Sequence, residues 1–328
     1  MSRALLLLIL VSSALAESWQ GVDRVVAVGD VHGGFDQFIT VLRQAGVLDP
    51  KNKWSGGKTH LVQLGDVPDR GPDTRRIMDL LMDLEKQARK AGGMVHPLIG
   101  NHEAMNIYGD LRYTLPEEFA AFRTPDSERV RVAFWEQHAQ ELKGKVSAEY
   151  RQDWEKRYPH GFFEHRLEFS SNGKYGKWIR DHHAVIRIDD TLFLHGGLSP
   201  KYASMTLTEL NKRVRKELSD LKLIDGGIAV DPDGPLWYRG LATGDENELS
   251  AHVNALLQFH GIRRIVIGHT PTDGSIVQRF GGKVLLADVG LSPVYGGRLT
   301  CLIIEEGRAV ALRGGVRQEF SLSAAAAE

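Results

Sequence analysis

The chain has 328 residues, 42% of them hydrophobic and 25% charged, with 41 basic against 42 acidic side chains. That composition excludes a disordered, collagenous or coiled-coil protein. A formal charge of −1 provides no basic field for nucleic acid or an anionic membrane, so neither is expected as a partner. The single cysteine, Cys301, rules out an intramolecular disulfide and is expected to be a buried strand residue.

At the N-terminus Arg3 precedes an apolar run over residues 4–11, followed by Ser12-Ser13-Ala14-Leu15-Ala16. A positive start, a short apolar stretch and an Ala-x-Ala-like end read as a signal peptide over residues 1–16. The run falls well short of the ~20 residues needed to span a bilayer. The expected product is therefore extracytoplasmic, in a periplasm or secretory pathway, with no stable membrane insertion after cleavage.

Short Val-, Ile- and Leu-rich runs then recur, several stopping at glycine and a polar residue. Val25-Val26-Ala27-Val28 runs into Gly29-Asp30, and Leu61-Val62-Gln63-Leu64 into Gly65-Asp66. Pro97-Leu98-Ile99 leads to Gly100-Asn101, Leu192-Phe193-Leu194 to His195, and Ile265-Val266-Ile267 to Gly268-His269. Runs of this length bounded by glycine predict buried strands. Helical spacing joins Phe35, Phe38, Ile39 and Leu42, and again Ile77, Leu80, Leu81 and Leu84. It returns in Leu207, Leu210, Val214 and Leu221, and in Leu249, Val253, Leu256 and Leu257. Strands resume at Val284-Leu285-Leu286-Ala287, from Leu299 onward, and at Ala309-Val310-Ala311-Leu312.

Residues 105–180 break the rhythm with many charges and with Trp135, Trp154 and Trp178. This stretch is read as a helical insertion, with helices over 117–143 and 147–157 and an irregular segment after them. It is too long for a plain loop. The three tryptophans are expected to pack the insertion onto the domain rather than to line a pocket. The whole predicts one α/β domain over residues 20–320.

The strand-end residues Asp30, His32, Asp66, Asn101, His195 and His269 are individually weak signals, but together they are expensive to bury without a cation or partner. Ligands in α/β folds collect outside the strand carboxyl ends. A pair of divalent metals about 3.5–4 Å apart activates a water and clamps an in-line displacement at phosphorus. Asp30 and His32 suit one metal, Asn101, His195 and His269 the other, with Asp66 bridging. Mixed imidazole and carboxylate ligands favour manganese, with iron or zinc as alternatives. Arg70 offers a planar fork to phosphate oxygens. His102 is placed to act as general acid, with Asp69 orienting its ring. Glu103 is read as packing or capping the next helix.

The set Gly29-Asp30-Val31-His32-Gly33, Gly65-Asp66-Val67-Pro68-Asp69-Arg70-Gly71, Gly100-Asn101-His102-Glu103, His195-Gly196-Gly197 and Gly268-His269-Thr270 resembles the calcineurin-like metallophosphoesterases. Within them it is similar to the PPP phosphoprotein phosphatases. The resemblance implies a four-layer αββα sandwich with a dinuclear site. Ile99 stands where eukaryotic Ser/Thr members carry arginine, and Gly234-Pro235-Leu236-Trp237-Tyr238-Arg239-Gly240 replaces their Trp-Ser-Asp-Pro segment. These departures resemble the Shewanella-like protein phosphatases, and make Arg239 a second phosphate-binding residue. The implied activity is hydrolysis of phosphomonoesters on phosphoproteins or phosphopeptides, phosphotyrosine foremost. The alternative is hydrolysis of phosphoanhydrides or diesters such as diadenosine polyphosphates.

Overall fold

The computed structural model describes residues 17–320. The predicted signal peptide, residues 1–16, lies outside them. In chain order the first strands and helices are β1 (Ser18–Trp19), β2 (Arg24–Val28), α1 (Phe35–Gln44), β3 (His60–Gln63), α2 (Thr74–Lys90) and β4 (Met94–Pro97). Six helices follow: α3 (Asn101–Tyr108), α4 (Pro116–Ala120), α5 (Ser127–Glu141), α6 (Ala148–Arg157), α7 (Phe162–Glu168) and α8 (Lys174–Arg180). Then come β5 (Val185–Ile188), β6 (Thr191–Leu194), α9 (Leu207–Ser219), α10 (Gly240–Thr243), α11 (Glu246–His260) and β7 (Arg264–Ile267). The chain ends in β8 (Val277–Arg279), β9 (Val284–Leu286), β10 (Thr300–Glu305), β11 (Arg308–Arg313) and β12 (Val316–Glu319).

Two mixed six-stranded sheets result, ordered β12-β11-β10-β2-β3-β4 and β1-β5-β6-β7-β9-β8. β2, β3 and β4 are parallel in one, and β6, β7 and β9 in the other. Every residue of β3 and β6 is buried, as expected for strands covered on both faces. Val26, Leu61 and Val62 of one sheet share a continuous apolar core with Phe193, Val266 and Leu285 of the other. Helices cover the outer faces. α1 and α2 bury Phe38, Val41, Leu42, Ile77, Leu81 and Leu84, each fully buried side chain contributing about 1.5–3 kcal/mol. α9 is tied to β5 by Asn211, whose side chain accepts from the amides of Ala184 and Val185 and donates to the Val185 carbonyl. This is the expected αββα architecture.

Local expectations needed four adjustments. The strand before Asn101 is Met94–Pro97 rather than Pro97–Ile99, because Leu98 makes only an isolated bridge to His183. The single helix expected over 117–143 divides into α4 and α5 around Thr124-Pro125, since proline lacks an N–H donor and opposes helix at the residue before it. The segment expected to be irregular after residue 157 contains α7 and α8. β5 is hidden in the sequence because Arg187 interrupts its apolar run; its guanidinium reaches the His260 carbonyl at the end of α11. Trp135, Trp154 and Trp178 are buried as packing residues: the first two meet edge to face at 5.3 Å, and Trp178 donates to Glu85. Cys301 is buried in β10, where burial pushes its thiol up to about 12.

Candidate metal centre and active site

Parallel strands deliver their polar successors to a common edge. Asp30 follows β2, Asp66 follows β3, Asn101 follows β4, His195 follows β6 and His269 follows β7. His32, Asp66, Asp69, Arg70 and His269 all adopt positive φ, between 43° and 70°. For non-glycine residues this conformation is costly and concentrates at functional sites. The neighbouring glycines have a specific reason. A Cβ on Gly100 would stand 2.4 Å from Asp66 Oδ1, and one on Gly268 would stand 2.6 Å from Asp30 Oδ1.

The side chains converge on Asp66. Its Oδ2 lies 3.2 Å from His195 Nε2, 3.7 Å from His32 Nε2 and 3.8 Å from His102 Nε2. Its Oδ1 accepts from the amide of His102 in the first turn of α3. Two clusters share this carboxylate: His32, Asp66 and His102, and Asp66, His195 and His269. Backbone carbonyls set the imidazole tautomers. His32 Nδ1 donates to the Pro68 carbonyl and His195 Nδ1 to that of Leu64. Both Nε2 atoms therefore face inward. Around His195 Nε2 stand Asn101 Oδ1 at 2.9 Å, His269 Nδ1 at 3.1 Å and Asp66 Oδ2 at 3.2 Å. Convergence of an amide oxygen, a carboxylate and two imidazoles on one point is the arrangement that ligands of a divalent cation take. Asp30 completes the group, 3.9 Å from His32 Nε2, while its other oxygen accepts from the His269 amide.

The electrostatics agree. Burial holds His32 down at about 4 and His269 at about 2, so both are neutral. Burial also opposes charge on His195, yet Asp66 and Asp30 overcome it and push the group up to about 10. Burial and Asp288 raise Asp30 well above the carboxylate range. Burial lifts Asp288 to about 6. Buried acids and bases crowded in this way are stable together only with added positive charge. The donor set of imidazoles, carboxylates and one amide oxygen fits divalent transition metals.

Beside the cluster, His102 Nδ1 donates to Asp69 Oδ2 at 2.6 Å. Arg70 has Nη1 3.0 Å from His32 Nε2, donates to the Tyr295 hydroxyl, and lies over the rings of Tyr113 and Tyr295. Its guanidinium thus caps the centre. Arg239 stands beside His269, donating to its carbonyl at 2.6 Å and to the Thr270 hydroxyl at 3.0 Å. All ten predicted site residues therefore meet in one place.

Some neighbours are not evident from the sequence. Glu103, expected only to pack or cap, accepts from the amides of Gly100, Asp66 and Val67 and so binds the β3 and β4 loops together. Asp288 faces Asp30, and its signal is present: an apolar strand, Val284-Leu285-Leu286-Ala287, ends in a carboxylate like the others. Tyr295 carries no signal; it reaches the site from a distant loop.

The calcineurin-like phosphoesterase family matches residues 23–273, most of the chain. The chain is a calcineurin-like phosphoesterase. An uncharacterised protein of Schizosaccharomyces pombe is 35% identical to this phosphoesterase over 293 residues, 86% of this chain and 77% of the relative. Shewanella-like protein phosphatase 2 of Arabidopsis thaliana is 28% identical over 292 residues, 82% and 72% respectively. Among solved structures, the cold-active protein-tyrosine phosphatase of a psychrophilic Shewanella species superposes with a TM-score of 0.73 at 28% identity, covering 94% of this phosphoesterase and 83% of that chain. These matches bear out the resemblance to the Shewanella-like branch.

Proposed function

We propose that this phosphoesterase is a dinuclear-metal-dependent phosphoprotein phosphatase acting on phosphomonoesters, phosphotyrosine foremost. The carrying observation is the Asp66 carboxylate, shared by two imidazole clusters and set beside the His102–Asp69 pair. Asp30, His32 and Asp66 would hold one divalent cation, and Asp66, Asn101, His195 and His269 the second. Manganese is the first choice, with iron and zinc as alternatives. Bound there, the cations would supply Lewis acidity toward water and phosphate.

The protein's own groups account for the rest. Arg70, beside His32, and Arg239, beside His269, would bind phosphate oxygens, where bidentate guanidinium contacts fix the phosphoryl group. As a water oxygen bonds to phosphorus, its protons stay with the released phosphate and the ester P–O bond breaks. The leaving oxygen takes a proton from Nε2 of doubly protonated His102, and the product phosphate or solvent returns that proton to the ring. Asp69 keeps Nδ1 hydrogen-bonded throughout, which holds the ring and stabilises its protonated form. A phenol of pKa near 10 needs this proton less than a serine alkoxide does. The rings of Tyr113 and Tyr295 flank Arg70 and suit an aromatic leaving group. The similar Shewanella structure is that of a protein-tyrosine phosphatase, which supports the same choice.

Rates on a phosphotyrosine peptide, a phosphoserine peptide and diadenosine tetraphosphate, each with added manganese, test this reading. Phosphotyrosine is expected to be fastest; preference for the dinucleotide would overturn it. We also propose export, on the strength of the 1–16 segment. Sequencing a secreted form that begins at Glu17 is the corresponding check.

A further inference from the structure

Asp69 and Arg70 are consecutive non-glycine residues at φ 70° and 64°, a backbone that must be held from outside. The holder is the segment that joins α3 to α4, with the first turn of α4. The Asp69 amide donates to Glu118 Oε1 at 3.3 Å, and the Arg70 amide to the Tyr113 carbonyl at 3.0 Å. The side chain is bound by the same segment. Thr114 Oγ1 donates to Asp69 Oδ1 at 2.7 Å. Oδ2 takes His102 Nδ1 at 2.6 Å and Asn106 Nδ2 at 3.1 Å. Each Asp69 oxygen thus has its own donors, and the one not engaged by His102 depends on the insertion. Glu118 is fully buried beneath this turn, where Thr74 is a neighbour of its carboxyl group.

We propose that Thr114 and Glu118 are positioning residues for the proton-donating pair. Thr114 sets the carboxylate plane of Asp69, Glu118 holds its backbone, and together they keep His102 aimed at the leaving oxygen. The insertion is then a working part of proton delivery. The Tyr113 ring, 5.2 Å from His102 and 4.7 Å from the Arg70 guanidinium, joins the same segment to both groups. This inference rests on His102 being the acid.

The test is leaving-group dependence in the manganese-loaded full chain. A phosphoserine peptide needs a proton on its leaving oxygen, whereas p-nitrophenyl phosphate leaves as a stable phenolate. His102→Ala is expected to lose about 10²–10⁴-fold on phosphoserine and far less on the aryl ester. Thr114→Val, which is nearly isosteric, is expected to show the same pattern at about 10-fold, the scale of one hydrogen bond to a charged group. Thr114→Ser restores the hydroxyl and should recover activity. Glu118→Gln keeps an acceptor and should stay active, while Glu118→Leu should follow Thr114→Val.

A second readout needs no turnover. The low-field proton of His102 Nδ1, identified by its absence in His102→Ala, should be seen by NMR in the metal-free protein and in Thr114→Ser. It should exchange away in Thr114→Val. Equal losses on both esters in Thr114→Val, or none, with His102→Ala still discriminating, would overturn the positioning role alone. No discrimination in His102→Ala would remove the acid assignment and this inference with it.

Discussion

Asp69 Oδ2 stands 2.6 Å from Nδ1 of His102, and both groups are buried. A carboxylate can only accept here, so Nδ1 carries a proton and Nε2, which needs a second one to act as the acid, faces the Asp66 cluster. Asp69→Asn would replace an anionic acceptor by a neutral amide that can point a donor at Nδ1. Turnover of a phosphoserine peptide is expected to fall by about 10²-fold or more, with a smaller loss on p-nitrophenyl phosphate. Steady-state kinetics on the two substrates measure it.

Asp66 belongs to both imidazole clusters. Asp66→Asn should lower metal content per chain, read by elemental analysis, and turnover should fall by at least about 100-fold. The bound comes from outer-sphere partners of metal sites, whose loss alone costs about 10–100-fold. Removal of metal from the unmutated chain with a chelator should abolish activity and lower Tm, because ligands that bind only the folded state stabilise it.

Glu103 collects three buried amides, those of Gly100, Asp66 and Val67. In Glu103→Ala these donors lose their acceptor, at about 1–3 kcal/mol each. Urea unfolding should show a loss of about 3 kcal/mol or more, with reduced metal content as the β3 and β4 loops part.

His165 in α7 is fully buried among Phe119, Phe122 and Phe169, and neither ring nitrogen has a partner. Burial brings it down from 6.5 to about 3. The unfolded chain therefore binds this proton first as pH falls. The stability His165 contributes as a neutral side chain is complete above 6.5 and is lost as pH descends toward 3. At 1.36 kcal/mol per unit, acidification to about pH 4.5 should cost about 2–3 kcal/mol. His165→Leu should unfold with a shallower dependence on acid over that interval. Parallel urea titrations at several pH values give the comparison.

Much of the centre is legible because its grammar is local. A buried strand must end, and the residue after it is delivered to the sheet edge; Asp30, Asp66, Asn101, His195 and His269 obey that rule one by one. Asp288 obeys it too, although the strand before it is more conspicuous in the sequence than its carboxylate. Tyr295, Thr114 and Glu118 obey no local rule. They arrive from a distant loop and from the start of α4, and nothing in their neighbours indicates what they face. Helix limits are less legible where one residue decides them, as Pro125 does between α4 and α5.

By itself the sequence determined the family and the candidate strand-end ligands, because each depends on residue type at short spacing; the pairing of His102 with Asp69, far apart in the chain, it could only suggest. Its glycines acquire their reason only in the fold: Gly100 and Gly268 leave room for the carboxylates of Asp66 and Asp30, which come from other strands. The tertiary structure alone decided that buried carboxylates push His195 up while burial holds His32 and His269 down. Those balances depend on which buried groups lie within a few ångströms. It also decided that Thr114 and Glu118, at the start of α4, reach Asp69. Contacts made across long stretches of chain depend on how the whole molecule closes, and no short window of sequence contains them.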